Sequence, residues 1–304
     1  MSIIEKAAAA AKLEKEAIKP NRELLDNNTN IVEKSVKSLK IKAKEELPAT
    51  GKITTGSASS KLKPKRVALD FAKLRQHGII TPDDKRNTLT EKFRIIKRPL
   101  LMNSFKTGAE KIKNGNLIMM TSSVAGEGKS FCAVNLAMSI AMEMDHTVLL
   151  VDADVSRPII PKILGLGEDK GLLDVVLDDK LDLTEVLIRT SIEKLSILTA
   201  GTPHPNANEL LASQSMGILL KELAHRYEDR IIIFDSPPLL QTSEARVLAA
   251  QMGQIVLVVE AEETTQQTVR ETLRQIESCE IVNLLYNKAG SFSDKNLYVN
   301  NEPY

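Results

Sequence analysis

The 304-residue chain contains no tryptophan, and aromatic residues make up only 3% of it. A stacking platform for single-stranded nucleic acid needs several exposed rings, so that mode of binding is excluded. A net charge of +1 supplies no general attraction to a polyanion either. Two cysteines, Cys132 and Cys279, are too few for a disulfide framework or a zinc site. Cys132 reads as a small buried residue. His77, His146, His204 and His225 are scattered without ligand spacing and read as surface or capping residues. No apolar run reaches the roughly 18–20 residues that cross a bilayer. The start, with Glu5 and a weakly apolar alanine run, lacks the pattern of a signal peptide. The expectation is a cytoplasmic protein, peripheral at the inner face of the cell membrane only through a partner or a surface contact.

What is present suffices for a core. Apolar residues are 42% of the chain, and its length suits one α/β domain of ordinary size with extensions. Residues 1–66 carry 15 basic against 8 acidic side chains and few large apolar ones, which predicts a disordered basic extension and linker. Its lysines serve solubility, or attract anionic lipid or an acidic partner. Residues 67–115 read as a helical segment: a short helix over 70–78, then a longer one over 89–105 that Pro99 should bend or divide. Over 116–290 strand and helix alternate. Strands are expected at 116–122, 147–152, 195–199, 230–235, 254–260 and 281–287, and helices at 128–143, 171–177, 182–188, 207–226, 242–251 and 264–277. Several strands are unbroken Val, Ile and Leu runs, the pattern of strands buried on both faces. The fold class is therefore α/β, a mainly parallel sheet flanked by helices. Residues 291–304 form a flexible polar tail bearing Tyr298 and Tyr304.

Three strand ends carry the chemistry. The first is Thr121-Ser-Ser-Val-Ala-Gly-Glu-Gly-Lys-Ser-Phe131, between an apolar strand and an apolar-periodic helix. This is the context of a phosphate-binding P-loop. Loop N–H groups face phosphate oxygens, and the helix N-terminus adds partial positive charge. Lys129 would reach the outer phosphates and the Ser130 hydroxyl would ligate Mg²⁺. Ser123 stands where G-x-x-x-x-G-K-[ST] has its first glycine. The second is Val148-Leu-Leu-Val-Asp152-Ala-Asp154, whose two acids, spaced two apart on an extended chain, point the same way. They can hold Mg²⁺, or accept a proton from an attacking hydroxyl. The third is Ile231-Ile-Ile-Phe-Asp235-Ser-Pro237-Pro238, an apolar strand closed by an acid in the Walker B manner. Asn287-Lys288 ends the last strand where related folds contact the base.

Together the motifs resemble the bacterial tyrosine kinase family, P-loop kinases with a partitioning-ATPase-like fold that are unrelated to eukaryotic protein kinases. The first acidic strand resembles that family's Walker A′ motif, and the resemblance spans about 69–304. Further similar stretches are Gly171-Leu-Leu-Asp-Val175 and Asn208-Glu-Leu-Leu-Ala-Ser213. Leu74-Arg-Gln-His-Gly-Ile-Ile-Thr-Pro82, continued from Glu91 to Leu101, resembles the exosortase-associated autokinase branch that accompanies exopolysaccharide synthesis and export. The resemblance implies an ATP-dependent protein-tyrosine autokinase. Its catalytic residues would be Lys129, Asp152, Asp154 and Asp235. Ala125, Gly126, Glu127, Gly128, Lys129, Ser130, Phe131 and Asn287 would contact ATP, and Ser130, Asp152 and Asp235 would hold Mg²⁺. Tyr298 and Tyr304 would accept phosphate. Glu91, Arg94 and Lys97 would match a Glu-x-x-Arg-x-x-Arg subunit-contact motif, with lysine in the last place. The implied partners are other copies of the chain, a membrane polysaccharide co-polymerase (chain-length regulator) as activator and a tyrosine phosphatase, with no nucleic acid.

Two other readings stay open on the residues. A partitioning-type ATPase switch shares the fold, but its P-loop carries a signature lysine where this chain has Val124. A scaffold that binds nucleotide weakly would accommodate Ser123 and Phe131, but not the intact Lys129, Ser130, Asp152 and Asp235.

Overall fold

A computed structural model describes residues 65–84, 87–226 and 229–289. The expected extension lies outside these residues except for Lys65 and Arg66, and the tail with Tyr298 and Tyr304 lies outside them altogether.

The strands are β1 (Arg66–Val67), β2 (Leu117–Ser122), β3 (Thr147–Asp152), β4 (Ile188–Thr190), β5 (Leu195–Leu198), β6 (Arg230–Asp235), β7 (Gln254–Glu260) and β8 (Val282–Asn287). They form one sheet in the order β1-β4-β5-β3-β6-β2-β7-β8, in which only β4 and β5 pair antiparallel. In β2 every side chain is buried, and β3, β6 and β7 are buried over all but one residue each, whereas β8, at the edge, is mostly not.

Side-chain alternation divides the core in two. Ile118, Met120, Leu150 and Ile233 face one layer: helices α1 (Phe71–Gln76), α2 (Thr88–Ser104), α3 (Lys129–Ala141) and α4 (Ile160–Leu164). Leu117, Met119, Leu149 and Phe234 face the other: α5 (Leu172–Leu177), α6 (Leu183–Val186), α7 (Ala207–Leu211), α8 (Gln214–Arg226), α9 (Glu244–Ala249) and α10 (Gln266–Arg274). The segment before β2 thus shares a core with the sheet. Leu74 of α1 and Phe93 and Leu100 of α2 pack with α3, and the Asn135 side chain of α3 accepts from the Ile80 N–H at 2.8 Å.

All six expected strands are present. β4 was expected as the end of a helix over 182–188. Ile188 and Thr190 are buried and Arg189 exposed, so this short stretch follows the period of a strand. The helix expected over 207–226 is two helices, because the Ser213 hydroxyl accepts from Met216 N–H (3.2 Å) and starts a new one. Pro99 does not divide α2. It lies on the exposed side, and the carbonyl it strands belongs to Ile95, 72% exposed and open to water. Among the described residues no helix is long and apolar enough to cross a membrane.

Candidate active site

The parallel topology brings the ends of β2, β3 and β6 to one sheet edge, with β6 between the other two. Open α/β sheets bind ligands at this edge. The loop after β2 is held from behind. Ser123 is fully buried, and its hydroxyl accepts from Thr272 of α10 at 2.8 Å. A serine can replace the glycine because its side chain points into the protein. Glu127 is 1% exposed and also faces inward. Its carboxylate accepts from the Val124 N–H (2.9 Å) and from the Thr264 hydroxyl. The Asn287 amide donates to the Glu127 carbonyl at 2.9 Å. A Cβ on Gly128 would lie 2.2 Å from that amide nitrogen, and Gly128 has φ +93°, so glycine is required here. Gly128 is also the N-cap of α3 and supplies no side-chain cap, which leaves the first N–H groups of the helix for a ligand.

On the outer side, Lys129 Nζ lies 2.7 Å from Asp154 Oδ2, 3.3 Å from Ser130 Oγ and 3.7 Å from Asp235 Oδ1. Asp152 and Asp235 are register partners, both wholly buried. Asp152 Oδ2 accepts from the Ile160 N–H at 3.0 Å, but its Oδ1 and both oxygens of Asp235 have no hydrogen-bond partner. Asp152 and Asp154 do not share a partner as the strand period suggested. The strand stops at Asp152, and the turn closed by Arg157 N–H on the Asp154 carbonyl re-aims Asp154 at Lys129.

The electrostatics follow from burial. Burial and the nearby Asp235 push the Asp152 carboxyl up to about 8. Burial pushes Asp235 up to about 6, against the pull of Lys129. For Lys129 burial acts downward, but Asp235, Asp154 and Asp152 outweigh it and hold the ammonium above its ordinary range. Burial raises the Cys132 thiol to about 12, so it stays protonated.

Unpaired buried carboxylate oxygens are costly unless something completes them. Two carboxylates beside the Ser130 hydroxyl suit Mg²⁺, which takes one or two protein acids and fills its shell with water and phosphate oxygens. The donor set fits that ion, and the uncapped helix end fits the phosphates it would accompany.

The remaining site candidates are placed differently. Ala125 and Gly126 are exposed at the loop tip, while Phe131 is half-buried against Gly78. Ala125, Gly126, Gly128, Lys129, Ser130 and Phe131 border a cavity of about 510 Å³ that continues over Asp154 and Pro238. Glu91 and Arg94 form an exposed pair on α2 at 2.7 Å. Lys97 is only 5% exposed. It donates to the Ser139 carbonyl (2.7 Å) and pairs with Glu143 (2.5 Å) at the far end of α3. Burial makes Lys97 an internal tie between α2 and α3. His146, expected as a surface or capping residue, is half-buried and stacks on Phe105 at 4.3 Å between ring centroids. Thr264 and Thr272, which anchor the loop, carry no sequence signal, since each lies more than 130 residues along the chain from its partner.

A family model described as an AAA domain matches residues 115–287. Tyrosine-protein kinase YwqD of Bacillus subtilis is 31% identical over 205 residues, 67% of this chain and 82% of that protein. CapB of Staphylococcus aureus, also named for tyrosine-protein kinase activity, is 30% identical over 188 residues, 62% of this chain and 78% of its own length. The chain belongs to the bacterial tyrosine-protein kinases. The crystal structure of the chimerical protein CapA2B2 agrees in fold with this kinase, with TM-score 0.58 and 27% identity over 73% of this chain and 92% of that one. The kinase's P-loop fold implies nucleotide binding.

Proposed function

We propose that this kinase transfers the γ-phosphoryl group of ATP to Tyr298 and Tyr304 on the tail of a neighbouring copy, and that the cycle regulates exopolysaccharide synthesis or export. The observation that carries this reading is the gathering of Lys129 and three acids at the open end of α3, with oxygens of Asp152 and Asp235 left without a hydrogen bond. The N–H groups at the start of α3 would hold the phosphates. Lys129 would exchange Asp154 for the outer phosphates and balance charge there as transfer proceeds. Asp152, in its ionised form, would accept the phenol proton. The phenol oxygen bonds to the γ-phosphorus, the bond to the β,γ-bridging oxygen breaks, and ADP leaves. Ser130, Asp152 and Asp235 would hold Mg²⁺, which when bound neutralises phosphate charge.

Copies would associate through the exposed Glu91 and Arg94 of α2. A membrane polysaccharide co-polymerase would activate the kinase and hold it at the inner face of the cell membrane, and a tyrosine phosphatase would reset the tail. The resemblance of 74–101 to the exosortase-associated branch supports the link to exopolysaccharide. The 1–66 segment would be a basic extension, 67–115 a segment serving association, and 116–290 the kinase domain.

The test is phosphopeptide mapping of the full chain after incubation with ATP and Mg²⁺, alone and mixed with Lys129→Met. Phosphate on Tyr298 or Tyr304, absent from Lys129→Met alone but present on its tail in the mixture, is the expected result. Nucleotide hydrolysis without any phosphotyrosine would move the reading to an ATPase switch.

A further inference from the structure

The two edges of the sheet are protected unequally. β1 closes one edge with only two residues. β8 closes the other with six, Val282-Asn-Leu-Leu-Tyr-Asn287, which include neither a charge nor a proline. Ile281 and Asn287 turn their carbonyls to β7, where the N–H groups of Ile255 and Ala261 donate to them at 2.9 Å. Backbone direction alternates along a strand, so Val282, Leu284 and Tyr286 turn their N–H and C=O groups outward. Among the described residues no further strand pairs with them. Such an edge is a template for another strand, and proteins blunt it with lysine, proline or a cover.

Beside this edge runs a groove of about 410 Å³ between α2 and β8. Ile95, Ile96 and Pro99 line it from α2, and Leu284 and Tyr286 from β8. Ile95 is 72% exposed, Leu284 57% and Tyr286 63%. Asn283, in the same groove, buries its amide nitrogen without an acceptor. Apolar side chains open to water, a buried donor without a partner and outward backbone groups are three separate deficits in one place. An extended peptide repairs all three, since its backbone pairs with the edge and its side chains cover the groove.

We propose that this groove receives the chain's own tail, residues 290–304, as an added strand antiparallel to β8. The tail begins beside it. β8 ends at Asn287, Lys288 with φ +57° turns the chain out of strand conformation, and Gly290 follows. A short turn there sends the chain back along β8, and the fifteen residues of the tail exceed the six of the strand. Phe292, Tyr298 and Val299 favour strand conformation and can cover apolar surface. Asp294 or Asn296 can accept from the Asn283 amide. The chain before β1 enters at the opposite edge, so the tail is the segment at hand. A returning strand runs away from the phosphate loop, because the loop lies where β2 ends and β8 runs in the same direction. Docking therefore withholds Tyr298 from a neighbouring copy, which goes beyond the kinase reading and sets how much tail is open to transfer.

The experiment is amide hydrogen exchange, resolved by NMR, on the full chain without nucleotide, so that it reads the place of the tail and not its phosphorylation. Val282, Leu284 and Tyr286 should exchange slowly, as Asn283 and Leu285 do through their bonds to β7. In a chain carrying Phe292→Pro and Ser293→Pro together, the first three should exchange roughly tenfold faster, while Asn283 and Leu285 keep their rates. Two adjacent prolines remove a bonding N–H whichever of the two residues faces β8. Ile95→Ser, at an exposed position, should speed the same three amides by a smaller factor. Equal rates for these amides in the full chain and the proline variant would overturn the proposal, as would their indifference to Ile95→Ser. Slow exchange that survives the prolines but is lost on dilution would also overturn it, and would assign the edge to β8 of a second copy.

Discussion

The two sides of the loop after β2 treat polar groups in opposite ways. Behind the loop, the Ser123 hydroxyl, the Glu127 carboxylate and the Asn287 amide are buried or half-buried, and each has a hydrogen-bond partner. In front of it, Asp152 and Asp235 are equally buried but keep three oxygens without a hydrogen bond, one of them 3.7 Å from the Lys129 ammonium. Neither acid is free to rotate into water. The same chain spends long-range contacts to complete one side and leaves the other incomplete a few ångströms away. The back holds the shape of the loop, and the front is kept in a costly state that only a ligand relieves. Substitutions on the two sides should therefore shift stability in opposite directions.

The largest effect on stability is expected behind the loop. Glu127→Ala leaves the Val124 N–H and the Thr264 hydroxyl unpaired in a closed space, and should cost about 3 kcal/mol by chemical denaturation. A loss no larger than that of a surface substitution would mean the back is not what fixes the loop. Lys97→Met should cost less, about 1–2 kcal/mol, because its partner Glu143 is 40% exposed and can rehydrate once the ammonium is gone. Its oligomeric state by light scattering should not change, whereas Glu91→Arg should weaken association. Ser123→Gly should cost about 1 kcal/mol, since Thr272 keeps its bond to the Thr268 carbonyl.

In front of the loop the sign reverses and becomes dependent on pH. Asp152 and Asp235, at about 8 and about 6, bind protons more tightly folded than unfolded, where a carboxyl titrates near 4. Their contribution favours folding on the acid side of that window. It is lost as pH rises, from about 4 to about 6 for Asp235 and on to about 8 for Asp152. Stability without ligands should fall over this range, and Asp152→Asn should flatten the fall.

The fold was legible wherever burial imposed a local pattern. The runs at 147–152, 230–235 and 254–260 are apolar because both faces of those strands are covered, and their boundaries follow from that alone. β1 has two residues and β4 three, too short to stand out in the sequence from the segments around them. The motif residues came together as expected because each ends a parallel strand, and strand ends share an edge. What could not be read was direction. Lys97 fits a surface motif by spacing, yet the packing of α2 on α3 turns it inward. Ser123 looked like a defect in the loop until Thr272, from a helix near the end of the chain, supplied its partner.

The most direct measurement is the melting temperature of wild type and Asp152→Asn at pH 8, each with and without ATP and Mg²⁺. Asparagine can still accept from the Ile160 N–H but carries no charge. Without ligands the variant should melt above wild type, and it should gain less than wild type when they are added, reversing the order. A variant that melts below wild type without ligands would contradict the account, because Asp152 would then be part of what holds the fold together.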